Sequence, residues 1–156
     1  MNSSIHILIA DDDTDDVAFL VEGISEVTSC CKISYAKDGV QCLRFLANNP
    51  PPGIIFLDLN MPLKNGFECL KVIRENPLLN NTTVTIVSTS HYFNDVDSCY
   101  RLGADFYIIK PTSMGTLVNL LQQLFNTLSQ AEAEKRPKEK FVLMDEKILA
   151  DKRSKH

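Results

Sequence analysis

The 156-residue sequence has no apolar run near the roughly 20 residues that a membrane-spanning helix needs. Its start, Met1-Asn2-Ser3-Ser4 followed by Ile5–Ile9, has no basic region, extended apolar core or small-residue cleavage site, which argues against a signal peptide. The five cysteines (Cys30, Cys31, Cys42, Cys69, Cys99) are odd in number and show no C-x-x-C spacing. They fit reduced, mostly buried thiols of a cytoplasmic protein better than a disulfide or zinc framework. Internal repeats are absent. Basic clusters are also absent from the body: residues 131–156 hold eight Lys/Arg against six Asp/Glu, leaving a body with eight basic and fourteen acidic residues. A body carrying −6 is poorly suited to nucleic acid, whose phosphates need clustered Lys and Arg.

What remains is the profile of an ordinary globular domain, 44% hydrophobic and 23% charged. Ile5-His6-Ile7-Leu8-Ile9-Ala10 reads as a short strand ending in Asp11-Asp12-Asp13-Thr14-Asp15-Asp16. Val17, Leu20, Val21 and Ile24 then recur at helical spacing, with Asp13 or Thr14 as cap and Asp15 and Asp16 as first-turn charges. Cys31, Ile33 and Tyr35 alternate with more polar or smaller residues as a second strand, and Asp38-Gly39 opens a helix carrying Val40, Leu43 and Leu46/Ala47. Asn48–Gly53, rich in proline, leads to the uninterrupted apolar run Ile54-Ile55-Phe56-Leu57, which predicts a strand buried on both faces.

Asp58 closes that strand, and Met61-Pro62 and Gly66 follow before a helix with Leu70 and Ile73. Val84–Val87 predicts a fourth strand ending at Ser88-Thr89-Ser90. A weakly apolar helix over 93–102 (Val96, Cys99, Tyr100) is assigned from its position and expected to be the most mobile. Asp105–Ile109 predicts a fifth strand ending at Lys110-Pro111, and Met114, Leu117, Leu121, Leu124 and Leu128 mark the last helix. Five strands alternating with five helices imply a doubly wound α/β domain over residues 1–130, with a parallel sheet and right-handed crossovers. Residues 131–156 read as a charged tail with small apolar patches at Phe141-Val142-Leu143 and Ile148-Leu149. The tail is too short for a second domain, so no output domain is expected.

In a parallel sheet the strand ends share one edge, which gathers Asp11, Asp12, Asp58, Ser88 and Lys110. Adjacent strands lie about 4.8 Å apart, within reach of a shared ion. Three carboxylates so close repel one another, and a hard dication with oxygen ligands such as Mg²⁺ relieves them. A lysine point charge and a serine hydroxyl nearby suit phosphoryl oxygens. A carboxylate nucleophile with these neighbours describes a phosphoryl-acceptor site with an aspartyl-phosphate product.

The run Ile-Leu-Ile-Ala-Asp-Asp, Asp58 with Met61-Pro62 and Gly66, Ser88-Thr89 and Lys110-Pro111 together resemble the receiver domain of two-component response regulators. The likeness covers residues 5 to about 128. It implies the flavodoxin-like (βα)5 fold with strand order 2-1-3-4-5, and phosphoryl transfer to Asp58 from a sensor histidine kinase or a histidine phosphotransfer protein. It further implies that Asp12 binds Mg²⁺ directly, Asp11 through water and Asn60 by its backbone carbonyl. Ser88 and Lys110 would contact the phosphoryl oxygens, and Tyr107 would be the switch aromatic that turns inward as Ser88 moves. The Lys110-Pro111 bond is expected to be cis. Ser88 and Thr83 stand where the family also uses Thr and Pro. The acidic run with Ser88-Thr89-Ser90 is most similar to the stand-alone, phytochrome-associated type.

On this reading the chain is a phosphoacceptor signalling protein, not an enzyme acting on others: it catalyses only its own Mg²⁺-dependent phosphorylation and dephosphorylation. Its readout would lie on the face of the fourth helix, fifth strand and fifth helix, where the family also admits a homodimer. Neither nucleic acid nor membrane is an expected partner.

Other readings of the same residues fit less well. Asp11, Asp13, Asp15 and Glu22 match an EF-hand calcium loop, except that Asp16 stands where the loop needs glycine and a strand precedes it. Asp13-x-Asp15-x-Val17 matches the motif of haloacid-dehalogenase-like phosphatases, except that Asp13 lies two residues past the strand end. A receiver fold kept as a phosphorylation-independent interaction module is the remaining alternative. His6 is read as structural, His91 as solvent-facing, and Tyr107 has core packing as its plainer role.

Overall fold

Each buried strand is followed by a helix, and the polypeptide closes into one five-stranded parallel sheet. The computed structural model describes residues 4–130 and 138–145. The strands are β1 (Ile5–Ala10), β2 (Cys31–Ala36), β3 (Ile54–Leu57), β4 (Thr83–Ser88) and β5 (Phe106–Ile109), in the order β2-β1-β3-β4-β5. Between and after them lie α1 (Thr14–Val27), α2 (Gly39–Asn48), α3 (Gly66–Glu75), α4 (Phe93–Arg101) and α5 (Met114–Ser129). Both the doubly wound class and the strand order expected from the sequence are present. Among the described residues no helix is long and apolar enough to cross a membrane.

Strand residues alternate between two cores. Ile7, Ile9, Ile54, Phe56, Phe106 and Ile108 face α1 and α5, where they meet Leu20, Ile24, Leu117, Leu121 and Leu124. Leu8, Ile55, Leu57, Val84, Ile86 and Tyr107 face α2, α3 and α4. Leu120 joins the predicted stripe of α5, because it sits one turn from Leu117 and Leu124 on the same face. In α2 the buried face is Gly39, Cys42 and Leu46, and Ala47 is exposed. This helix starts hard against the loop after β3, where a Cβ on Gly39 would lie 2.1 Å from the Lys64 carbonyl oxygen. Only glycine fits at this position.

The two edges of the sheet are held by different means. At the amino ends of β3 to β5, Arg74 donates through Nε to the Gly103 carbonyl (2.7 Å), through Nη1 to Leu79 (3.1 Å) and through Nη2 to Asp105 Oδ2 (2.7 Å). The same Asp105 oxygen accepts from the Val84 amide, and Thr82 Oγ1 donates to the Pro52 carbonyl. β5 starts one residue later than the Asp105–Ile109 strand expected from the sequence, although the Asp105 amide still donates to the Val84 carbonyl at 2.8 Å. At the carboxyl ends the ladder continues one residue past the strands: Asp11 N–H to Ala36 O, Asp58 N–H to Ala10 O and Lys110 N–H to Ser88 O, all 2.8–3.0 Å.

Two expectations need correction or extension. No peptide bond among the described residues is cis, so Lys110–Pro111 is trans. Trans is the lower-energy form even before proline, by about 0.5–1 kcal/mol, and the Lys110 side chain reaches the site from it. Residues 138–145 of the tail pack on the body. Lys138–Lys140 form one 3-10 turn, Phe141 is 1% exposed, and Val142 bridges Tyr107 in parallel at the outer edge of β5. The Ile148-Leu149 patch lies outside the described residues.

Thr85 Oγ1 on β4 is fully buried and finds no hydrogen-bond partner among the described residues. Thr85→Val keeps the shape and removes an unpaired hydroxyl. Urea denaturation is expected to show a gain of about 1 kcal/mol; a loss would mean that the hydroxyl is satisfied in solution.

Candidate functional site

Three carboxylates meet at the carboxyl edge between β1 and β3. Asp11 and Asp58 are buried by the ladder bonds that extend their strands, whereas Asp12 faces solvent. One oxygen from each of Asp11, Asp12 and Asp58 lies within 4.8 Å of the others. Asp11 Oδ1 accepts from the Asp13 amide (2.9 Å), and Asp13 Oδ1 in turn caps α1 through the amides of Asp15 and Asp16. The capping bonds settle Asp13 as the helix cap and seat the start of α1 directly over the strand ends.

Asp58 is positioned by the tightness of the loop that follows it. Gly66 packs so closely that a Cβ there would lie 2.3 Å from the Asp58 carbonyl oxygen, and its amide donates to Leu59 O. Asn65 and Glu68 form a capping box that starts α3 at this point. Leu63 adopts φ 69° in the same loop while 77% exposed, a left-handed conformation that costs an L-residue about 1–2 kcal/mol. The amide of Asn60, 3.3 Å away, points at Asp58 Oδ1.

Lys110 reaches back from the end of β5 over β4 to this cluster. Its Nζ lies 2.7 Å from Asp16 Oδ2, 3.1 Å from Asp11 Oδ2 and 3.4 Å from Asp58 Oδ2. Burial opposes its charge, but the hydrogen bond to Asp16 and the charges of Asp58 and Asp11 outweigh burial and hold its pKa above the usual value. Burial pushes the Asp58 carboxyl up to about 6, with Asp11 adding to the rise and Lys110 and the Asn60 amide opposing it. A carboxylate so desolvated gains from any further positive charge at the site.

Asp16 is the residue that sequence reasoning missed. It is a first-turn charge of α1, as its position predicts, and it also makes the shortest contact of the lysine. Its partner lies 94 positions away, and only the packing of α1 over the strand ends brings the two together.

Ser88 and Tyr107 sit beside the charged cluster, on β4 and β5. Ser88 is fully buried, and its Oγ accepts from the Ser90 amide at 3.1 Å. The Tyr107 side chain is also fully buried, with its hydroxyl donating to the Ser90 carbonyl at 2.7 Å. Burial pushes the Tyr107 hydroxyl pKa up, against hydrogen bonding at Ser88 and Ser90. Ser90 Oγ completes the arrangement by donating to Asp95 in the first turn of α4. His6 bonds Ser34 Oγ (2.8 Å) on β2 and takes no part in the site.

The donor set is all oxygen, acidic and one-sided, which fits a hard dication and excludes a thiolate or imidazole site. The side-chain cluster for it is Asp11, Asp12 and Asp58.

Residues 7–122 match the family model of the response regulator receiver domain. The response regulator Rcp1 of Synechocystis is 32% identical over 122 residues, covering 74% of this chain and 83% of Rcp1. The Arabidopsis thaliana two-component response regulator ARR17 is 29% identical, covering 83% and 90%. The crystal structure of the Mn²⁺-bound form of Rcp1 superposes with a TM-score of 0.72 at 29% identity, covering 83% of this chain and 97% of that one. The phosphorylated cyanobacterial phytochrome response regulator RcpA superposes at 0.75 and 26% identity, covering 84% and 98%.

A dication that binds the folded cluster and not the unfolded chain stabilises the fold by about 1.4 kcal/mol at ten times its Kd. Urea titrations with and without Mg²⁺ are expected to show such a gain in the wild type and a much reduced one in Asp58→Asn. Equal gains in both proteins would place the ion elsewhere.

Proposed function

Because the chain belongs to the response regulator receiver family, we propose that it is a phosphoacceptor whose Asp58 takes a phosphoryl group from the phosphohistidine of a sensor kinase or a histidine phosphotransfer protein. The observation that carries this reading is the convergence of Asp58, Asp11, Asp12 and Lys110 on one edge. Asp58 is the nucleophile, buried on a loop with no slack and turned toward the lysine. Asp12 and Asp11, with the backbone carbonyl of Asn60, are the proposed Mg²⁺ ligands. The ion, when bound, supplies positive charge that neutralises the carboxylates and the oxygens in transfer.

The residues of the chain do the rest. Lys110 exchanges a carboxylate partner for a phosphoryl oxygen, and its flexible stem allows that exchange with little movement of β5. Ser88 Oγ accepts from the Ser90 amide, which leaves its own proton available to donate to the phosphoryl group. Ser90 also holds Tyr107 and Asp95, so a shift of this loop reaches α4 and β5 together. We read Tyr107 as the switch residue on that account. The output is a population shift on the face of α4, β5 and α5, read by a protein partner in the cytoplasm. The acidic run and the likeness to Rcp1 and RcpA favour a phytochrome-associated kinase as the donor.

Incubation with acetyl phosphate and Mg²⁺ is expected to add one phosphoryl group, detected by intact mass, and Asp58→Asn is expected to abolish it. Incorporation that survives in the variant would remove Asp58 from its role. Lys110→Ala is expected to retain phosphorylation at a reduced rate and to lose the accompanying shifts in amide resonances of α4 and β5. Equal shifts in variant and wild type would show that the lysine does not couple the two.

A further inference from the structure

The outer edge of β5 is occupied. The Tyr107 amide donates to the Phe141 carbonyl (2.9 Å), and the Leu143 amide donates to the Tyr107 carbonyl (3.0 Å). Both main-chain groups of Tyr107 that face away from β4 are therefore committed to the tail. The Phe141 ring is buried against Tyr107 and lies edge-on to Tyr100 of α4, with centroids 6.0 and 5.3 Å apart. Lys138, three residues earlier, pairs with Asp97 of α4 and stands over the Phe93 ring at 5.0 Å. On the other side Gln123 of α5 donates to the Met144 carbonyl (2.8 Å). One short segment thus engages α4, β5 and α5 at once.

We infer that the edge of β5, with Asp97 and the aromatic hollow at Phe93 and Tyr100, is a strand-docking surface, that residues 138–144 of the same chain occupy it when Asp58 is unmodified, and that phosphorylation releases them. The coupling runs through named contacts. Ser88 Oγ accepts from the Ser90 amide, so a Ser88 drawn toward a phosphoryl oxygen pulls on Ser90, whose carbonyl accepts from the Tyr107 hydroxyl. The tail grips the same tyrosine by its amide, its carbonyl and its ring. Movement of Tyr107 with Ser90 strips the tail of its best-fitting contacts, and a docked tail resists that movement. The uncovered surface fits an extended partner strand with a cation three residues before an aromatic, the pattern of Lys138 and Phe141. This coupling rests on the phosphoacceptor reading; the docking itself does not.

Amide hydrogen exchange on the full chain tests both parts. In the wild type the Tyr107 and Leu143 amides should be protected. Phe141→Ala should lower that protection by about tenfold or more while Ile7–Ile9 amides stay unchanged. Lys138→Ala, which leaves the core intact, should give a smaller loss. Addition of Mg²⁺ and beryllofluoride should lower the Leu143 protection of the wild type about tenfold. By reciprocity Phe141→Ala should bind beryllofluoride more tightly, by up to the same factor of about ten. A synthetic peptide of residues 137–145 should bind Phe141→Ala in trans and not the wild type.

Unprotected Leu143 in the wild type overturns the docking. Protection that falls on dilution overturns it too, since the occupant would then be a second copy of the chain. If beryllofluoride shifts the resonances around Asp58 and Gly66 while Leu143 keeps its protection, the coupling is wrong and the acceptor reading stands. If those resonances do not move, the acceptor reading fails, and the coupling with it.

Discussion

The ammonium of Lys110 among the carboxylates of Asp11, Asp16 and Asp58 is the interaction on which the carboxyl edge of the molecule depends. Buried or half-buried acids at the ends of neighbouring strands would otherwise repel, and the sheet fixes them too firmly to move apart. One lysine, reaching across β4, holds this edge together. A single cation against three acids leaves negative charge to spare, and the all-oxygen cluster of Asp11, Asp12 and Asp58 can accept more positive charge. The site is therefore held together in the fold and still receptive to a further cation.

Asp11, Asp58, Ser88 and Lys110 were legible in the sequence because their placement follows from local rules. Each directly ends or follows a short apolar run, and parallel strands bring such ends to one edge. The strand order was implied by family likeness, not by the residues. Helix periodicity located α5 well, since five apolar residues define its stripe. In α2 it found Leu46 and Leu43 on the core side but not Gly39 and Cys42, small residues that carry little periodic signal.

What stayed hidden depends on contacts between distant segments. Asp16 looks like any first-turn acid until α1 is seen to carry it to Lys110. Phe141-Val142-Leu143 is an apolar patch without a strand pattern, and only the free edge of β5 gives it one. Each case concerns a pairing that neither partner advertises in its own neighbourhood.

The clamp at the opposite edge makes the two ends of the sheet independent of each other. Arg74, Asp105 and Thr82 tie the amino ends of β3, β4 and β5 to one another and to α3 with side-chain bonds that do not involve the charged edge. Loss of Arg74 alone would remove its bonds to Gly103, Leu79 and Asp105 together while leaving every contact of Lys110 in place. The sheet is thus braced by a guanidinium at one end and an ammonium at the other, and the two braces share no residue.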